Sequence, residues 1–296
     1  MSMQLDRRGL ILLVILTLAW GLNWPIMKLG VAHFPAMGFR LLCMAGGLVA
    51  LGLALRLRGD SLHVPRHAWA TVVKLAIPNM VIWHLFAICA VKMLSSGRAA
   101  ILGYTMPIWA VVWGLVIFRE RIALSAWIGI ACAAAGTVLL LSGEIAALTG
   151  SPTGTLLMLV AAAGWGFGTQ LMKRTQLDVP IGALTFWMLA ITLPFLAIGS
   201  LLFESGWRMP TSVEWGAIAY NAVVVFAYCH LVWFALARSL PPVVSSLSIM
   251  FIPVVGVFSG MWLLGETPHW QDYAAILLMF AALSSVMLAP LLRRRM

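Results

Sequence analysis

In a chain with this much apolar sequence, the side chains able to make directional bonds are few enough to name. The run AWGLNWPIMK at 19–28 holds Trp20, Asn23, Trp24 and Met27 at i, i+3, i+4, i+7, so they share one helical face. An amide in hydrocarbon is unfavourable unless it is bonded, so this face must turn into the protein. There it either lines a pathway or packs on a neighbouring helix, with Gly21 permitting close approach. A second run, GWGFGTQLMK at 164–173, puts Trp165 and Thr169 on one face with Gln170 at its edge. His84 and His230 are the histidines inside apolar segments, whereas His33, His63, His67 and His269 fall in loops or at segment ends. Intramembrane ionisable groups face a cavity or a partner. Tyr104 lies three residues before Pro107, and Asn221 and Tyr228 lie seven apart on one face. Ring faces with a few amide, hydroxyl and imidazole groups suit a small molecule that is partly apolar and partly polar.

The same inventory speaks against catalysis. All nine Asp and Glu fall at segment ends or in loops, and the chain has neither an HExxH motif nor paired carboxylates. A membrane enzyme acting on lipids would need acids, histidine clusters or metal ligands near an interface. No catalytic residue, metal site or cofactor is therefore expected. Cys43, Cys89, Cys132 and Cys229 all sit in apolar stretches and read as core fillers. Neither a ring of charges nor a TVGYG-type filter supports a channel.

The elements that must position these residues follow from composition. The chain is 62% hydrophobic and 9% charged over 296 residues, with a mean hydropathy of +1.01. That leaves almost nothing for a water-facing shell, so the expected class is an all-α integral membrane protein. Cutting at charged, Pro- and Gly-rich breaks gives ten apolar segments near 9–31, 34–55, 69–90, 98–118, 125–143, 154–173, 180–203, 213–236, 243–264 and 273–291. Each approaches the roughly 20 residues needed to cross a bilayer core as helix. No alternating ten-residue pattern supports a β-barrel. The first segment follows Arg7 and Arg8 but is too long for a signal h-region, so it reads as helix 1.

The net charge of +10 is topological and not a footprint for nucleic acid. With alternate loops on opposite sides, 13 basic residues share the side of both termini. Five lie opposite (Lys28, Arg40, Lys92, Arg98 and Arg208), and Lys74 falls inside a segment. The positive-inside rule then places both termini in the cytoplasm.

The chain also repeats itself. At an offset of 145, Trp20, Gly21, Met27, Lys28 and Pro35 match Trp165, Gly166, Met172, Lys173 and Pro180. At 146, His84, Pro107, Gly114 and Glu120 match His230, Pro253, Gly260 and Glu266. Trp, His, Pro and Glu are scarce enough here for these matches to count. Residues 1–148 and 149–296 each hold five segments. An odd number means that the second copy enters the membrane from the opposite side, giving two inverted five-helix repeats with a site between them.

On these residues the chain resembles the EamA-type proteins of the drug/metabolite transporter superfamily. The likeness rests on WGLNWPIMK with Pro35 and Arg40, on AAILGYTMPIWAVVWGLVIFRERIALSAWIGIACAAAGTVLL, and on its second-half counterpart SSLSIMFIPVVGVFSGMWLLGETPHWQDYAAI. In both copies a proline stands thirteen residues before a glutamate. The second copy departs from the first at Thr185, which stands where Arg40 does, and at Ala275 and Ala282, which replace Gly129 and Gly136. The resemblance implies ten helices in two inverted halves, and export of small metabolites from a bacterial inner membrane. Within the family the chain resembles most the exporters of amino acids, aromatic ones in particular; export or exchange of other metabolites or drugs is the alternative. Substrate contacts are expected from Trp20, Asn23, Trp24, His84, Tyr104, Trp165, Thr169, Gln170, Asn221, Tyr228 and His230. Pro107, Glu120, Pro253 and Glu266 are expected in structural or gating roles. The small faces Gly129, Ala133, Gly136 and Ala274, Ala281, Ser284, Ser285 should pack on each other or form a homodimer. With no carboxylate at mid-depth, transport should be independent of Na⁺, and any pH dependence should come from histidine.

Overall fold

A computed structural model describes residues 7–121, 124–146, 151–229, 232 and 242–285. The regular elements among these residues are all helical, with no strand. Helices α1 (Arg7–Val31) and α2 (Ala36–Leu57) come first. A rod follows that is made of a 3₁₀ turn (Arg66–Ala68), α3 (Trp69–Ala76), a π-helical stretch (Ile77–Ile82) and α4 (Trp83–Met93). Next are α5 (Ser96–Gly103), α6 (Met106–Val116), α7 (Leu124–Ala146), α8 (Pro152–Arg174) and α9 (Ile181–Phe203). Helix α10 (Ser212–Ala219) continues as a second π-helical stretch (Tyr220–Cys229), and α11 (Pro242–Leu264) and α12 (Trp270–Leu283) close the order.

Seven helical stretches among the described residues are long and apolar enough to cross a membrane, and Leu124–Leu140, Phe251–Leu264 and Trp270–Leu283 are shorter apolar helices. Their outward surfaces carry Val49, Leu53, Leu201, Phe203 and Trp262, all exposed. Exposed apolar residues of this kind fit a hydrocarbon solvent, where helices satisfy their own backbone groups.

Two local breaks shape the interior. Pro78 has no N–H to return to the preceding turn, and the helix there widens into the π-helical Ile77–Ile82. The second π-helical stretch has no proline, yet it covers the positions 146 residues further on. Between α5 and α6 the chain turns at Tyr104 and Thr105, where the Thr105 hydroxyl donates to the Leu102 carbonyl at 2.6 Å and Pro107 opens the next helix.

Packing respects the sequence repeat. Helix α1 lies on α11 as α8 lies on α5 and α6; α8 packs on α4 as α1 packs on α10 and its extension. Helix α2 packs on Tyr220–Cys229 as α9 packs on α3 and Ile77–Ile82, while α2 meets α9 and α7 meets α12. In the last pair the small faces meet within the chain. A Cβ on Gly136 would lie 3.5 Å from the Leu278 Cβ, and Ala133 and Ala282 share a small core with Ile108.

Candidate substrate site

The apolar face of α1 is buried as the spacing predicts. Asn23, Trp24 and Met27 are buried, and Trp20 is half-buried between two parts of the core. Gly21 lets α11 close in, since a Cβ there would lie 2.3 Å from the Val255 side chain. The helix continues through Pro25.

Trp24 then belongs to a line of aromatic rings running across three helices and the turn between α5 and α6. Its indole meets the Tyr104 ring edge-on at 6.2 Å. Gly103 is the seat on which the tryptophans converge: a Cβ there would lie 2.8 Å from Trp24 and 3.4 Å from Trp83. Trp83 in turn meets Trp165 edge-on at 5.4 Å. Trp24, Tyr104, Trp83 and Trp165 thus come from α1, the α5–α6 turn, α4 and α8. Edge-to-face pairs of this kind add about 0.5–1.5 kcal/mol each beyond area burial.

Beside this line lies a polar cluster. His84 is buried with its ring 5.4 Å from that of Phe226, and Arg40 stands over the same ring at 5.7 Å. Arg40 Nη1 donates to Asn221 Oδ1 at 3.2 Å, and the Asn221 amide donates to the Ala217 carbonyl at 3.0 Å. Arg40 Nη2 meets the Met27 thioether. Asn23 Oδ1 and Arg40 Nε are buried without a hydrogen-bond partner.

Other expected site residues are placed apart from this centre. The Thr169 hydroxyl donates to the Trp165 carbonyl of its own helix, on an exposed face. Gln170 is buried, and its amide donates to the Ala110 carbonyl at 2.5 Å, binding α8 to α6. Tyr228 is exposed on the second π-helical stretch. His230 lies outside the described residues. Pro253 is buried inside α11.

The two glutamates sit at helix ends, each curled onto the glycine six residues before it. The backbone N–H of Glu120 donates to Gly114 O at 2.9 Å, and that of Glu266 to Gly260 O at 3.4 Å. Glu266 accepts from Ser96 N at 2.8 Å and Ser96 Oγ at 2.7 Å, so it caps α5. Glu120 pairs with Arg174 and, at 3.5 Å, with Lys173. Burial pushes its carboxyl pKa up, but the charges and hydrogen bonds of Lys173 and Arg174 outweigh this and hold it below the usual carboxylate range.

Reading the sequence by charge position counts Arg40 with the loop charges, but the structure puts it inside α2 and buried. Its signal was the exchange at the repeat, Arg40 against Thr185. Asn79 is a second buried polar residue that the apolar pattern does not single out. It fills the space against Gly168, where a Cβ would lie 2.3 Å from its amide. Trp83 and Phe226 complete the ring surfaces but look like ordinary apolar residues in sequence.

A family model described as the EamA-like transporter family matches residues 7–142 and again residues 152–288. An uncharacterised transporter of Bacillus subtilis is 25% identical over 257 residues, covering 85% of this chain and 86% of the relative. An uncharacterised inner membrane transporter of Escherichia coli is 27% identical, covering 88% and 84%. A protein of Salmonella typhimurium described as a probable amino-acid metabolite efflux pump is 26% identical, covering 94% of each chain. A crystal structure superposes with a TM-score of 0.68 at 21% identity, covering 97% of this chain and 99% of the other, which shows the shared fold.

Proposed function

The chain belongs to the EamA-like transporter family, and from that membership we propose that it exports amino acids with aromatic or large apolar side chains across the inner membrane. It is a multi-pass membrane transporter; the substrate, the direction and the machinery that follow are our reading. Ten helices cross the membrane as two inverted halves, 1–148 and 149–296, with both termini in the cytoplasm. The exchange of packing partners between the halves supports this arrangement. The two halves trade conformations to open the site to each side in turn.

The observation that carries the substrate class is the line of rings from Tyr104 through Trp24 and Trp83 to Trp165, with Asn23 and His84 buried nearby. Ring faces accept a large apolar side chain, and the polar groups meet its head. The relative described as a probable amino-acid metabolite efflux pump supports the same class.

The test is transport into proteoliposomes across a panel of amino acids, with and without an imposed pH gradient. Aromatic and large aliphatic amino acids should be carried, small and acidic ones should not, and Na⁺ should have no effect. Trp165→Ala should weaken substrate binding by about 1–3 kcal/mol while the protein still reaches the membrane. The exposed Trp215→Ala should change little. Selective transport of none of the aromatic amino acids would overturn the substrate class.

A further inference from the structure

Arg40 is the only buried Lys or Arg among the described residues, at 4% exposure. No carboxylate pairs with it: the ion pairs among the described residues join helix ends and loops, at Asp60, Glu120, Glu214 and Asp272. Its guanidinium has one good acceptor, Asn221 Oδ1, and otherwise faces a thioether and the Phe226 ring, with Nε unmatched. A thioether and an aromatic face are weak substitutes for water, so a cation held this way is unfavourable.

The repeat supplies an internal control. The position equivalent to Arg40 is Thr185, which is also buried and whose hydroxyl donates to the Ile181 carbonyl of its own helix at 2.9 Å. The fold accepts a neutral residue there, so the packing of this position does not require a cation. The first half adds one.

A second buried group completes the pattern. Asn23 Oδ1 lacks a donor, and Asn23 lies four residues, one turn or about 6 Å, from Met27, the residue that touches Arg40. An acceptor without a donor on α1 therefore lies one turn from the thioether that touches a guanidinium of α2 whose Nε has no acceptor. Trp24, a member of the aromatic line, is the residue after Asn23.

We infer that Arg40 and Asn23 form the receptor for the head group of a zwitterionic α-amino acid. The substrate carboxylate takes Arg40 Nε and Nη2 side by side, displacing the Met27 thioether, in the two-point geometry that guanidinium and carboxylate favour. The ammonium, two covalent bonds away from the carboxylate oxygens' carbon, donates to Asn23 Oδ1. The side chain then extends along Trp24 and Tyr104. This assignment rests on the amino-acid reading above and adds to it that both charges of the head group are required.

The experiment uses the full chain and three probes with the same ring: L-phenylalanine, 2-phenylethylamine, which lacks the carboxylate, and 3-phenylpropionate, which lacks the ammonium. Wild-type protein should bind phenylalanine at least about tenfold more tightly than either analogue. Arg40→Met should bring phenylalanine down to the level of phenylethylamine and leave the amine unchanged. Asn23→Leu should bring phenylalanine down to the level of phenylpropionate and leave the acid unchanged. Asn23→Leu should melt at a higher temperature than wild type without ligand, because it removes a buried oxygen that lacks a donor. Arg40→Met should melt no lower, because removing an unpaired buried cation offsets the loss of its one bond to Asn221 Oδ1. A purely structural Arg40 would instead make Arg40→Met melt lower.

An Arg40→Met protein that keeps the wild-type preference for phenylalanine over phenylethylamine overturns the assignment and leaves the amino-acid reading standing. Wild-type protein that binds none of the three probes overturns both. Should Arg40→Met fail to reach the membrane, Asn23→Leu decides: an unchanged ratio of phenylalanine to phenylpropionate rejects the head-group receptor.

Discussion

Among the described residues, the two ends of the helix bundle are tied very differently. At the end formed by residues 31–36, 93–96, 203–212 and 264–270, side chains bind one connection to the next. Lys28 Nζ donates to the Lys92 and Leu94 carbonyls at 2.8 and 2.7 Å, and Lys92 Nζ to the Phe34 carbonyl at 3.0 Å. Arg208 reaches the His33 carbonyl, and Arg98 pairs with Asp272 at 2.7 Å. Glu204 accepts from Met37 N and Gly38 N at 2.8 and 3.1 Å, and Glu266 caps α5. At the opposite end, the described ties are fewer and more exposed. Glu120 meets Lys173 and Arg174, Arg174 lies over Phe118 at 3.9 Å, and Trp187 donates to the Leu62 carbonyl at 2.8 Å. Residues matched by the repeat are used in two ways: Glu266 holds a helix start, and Glu120, among the described residues, pairs with cations. An alternating carrier would have one end shut at a time, and in the proposed orientation the end with more of the described ties is the outer one.

The largest break in this difference should come from Glu266→Ala. It removes two good hydrogen bonds to Ser96 and a longer one from Gly97 N at 3.4 Å, leaving the first N–H groups of α5 without an acceptor. Losing a carboxylate in this role costs about 3 kcal/mol. Hydrogen exchange at Ser96 and Gly97 should therefore rise about a hundredfold. Glu204→Ala should act the same way on α2, at Met37 and Gly38, with an effect of about 2 kcal/mol. Exchange at those amides unchanged by either substitution would show that the ties do not hold this end closed.

A matched pair of glycines sharpens the comparison. A Cβ on Gly260 would lie 2.3 Å from Ser96 Oγ and 2.6 Å from Glu266 Oε2, whereas one on Gly114 would lie 2.5 Å from Glu120 Oε2 and 2.8 Å from Gln170 Nε2. Glu266 is fixed by its donors and cannot yield without losing them, while the Glu120 side chain, a third exposed, is freer to swing aside. Gly260→Ala should thus destabilise the protein by about 1–2 kcal/mol, and Gly114→Ala by less. Thermal unfolding of the two variants in parallel reads the difference, and equal shifts would argue that the two ends are equivalent.

Such an asymmetry explains what the sequence could and could not say. The apolar segments, the shared face of Trp20, Asn23, Trp24 and Met27, and the importance of Glu120 and Glu266 are written in periodicity and repetition. The different partners of the two glutamates are not, because they come from segments far away in sequence, Ser96 at the start of α5 and Lys173 and Arg174 at the end of α8. Pro78 announces the first π-helical stretch, whereas YNAVVVFAYC gives no local sign of the second. Arg40 was obscured by position, since a charge five residues into a helix is indistinguishable in sequence from one that reaches the membrane surface. Trp83 and Trp165 become neighbours only through the packing of α4 on α8, a contact between distant segments that no local pattern encodes.

The smallest effect should come from Glu120 itself, and its pH dependence has a definite sign. Its ion pairs are partly exposed, so Glu120→Gln should reduce stability by only about 0.5 kcal/mol at neutral pH. Because Lys173 and Arg174 hold its carboxyl pKa below the ordinary value despite the opposing effect of burial, the folded state favours the ionised form. That contribution is fully present above the unfolded carboxylate pKa of about 4.3. It is lost as pH falls through the lower folded value. Unfolding of wild type and Glu120→Gln should therefore differ slightly at pH 7 and converge in acid, and added salt should shrink the neutral-pH gap. A gap that widens on acidification would mean that Glu120 is protonated in the folded protein. That would make this end the more tightly closed of the two, the reverse of what its geometry indicates.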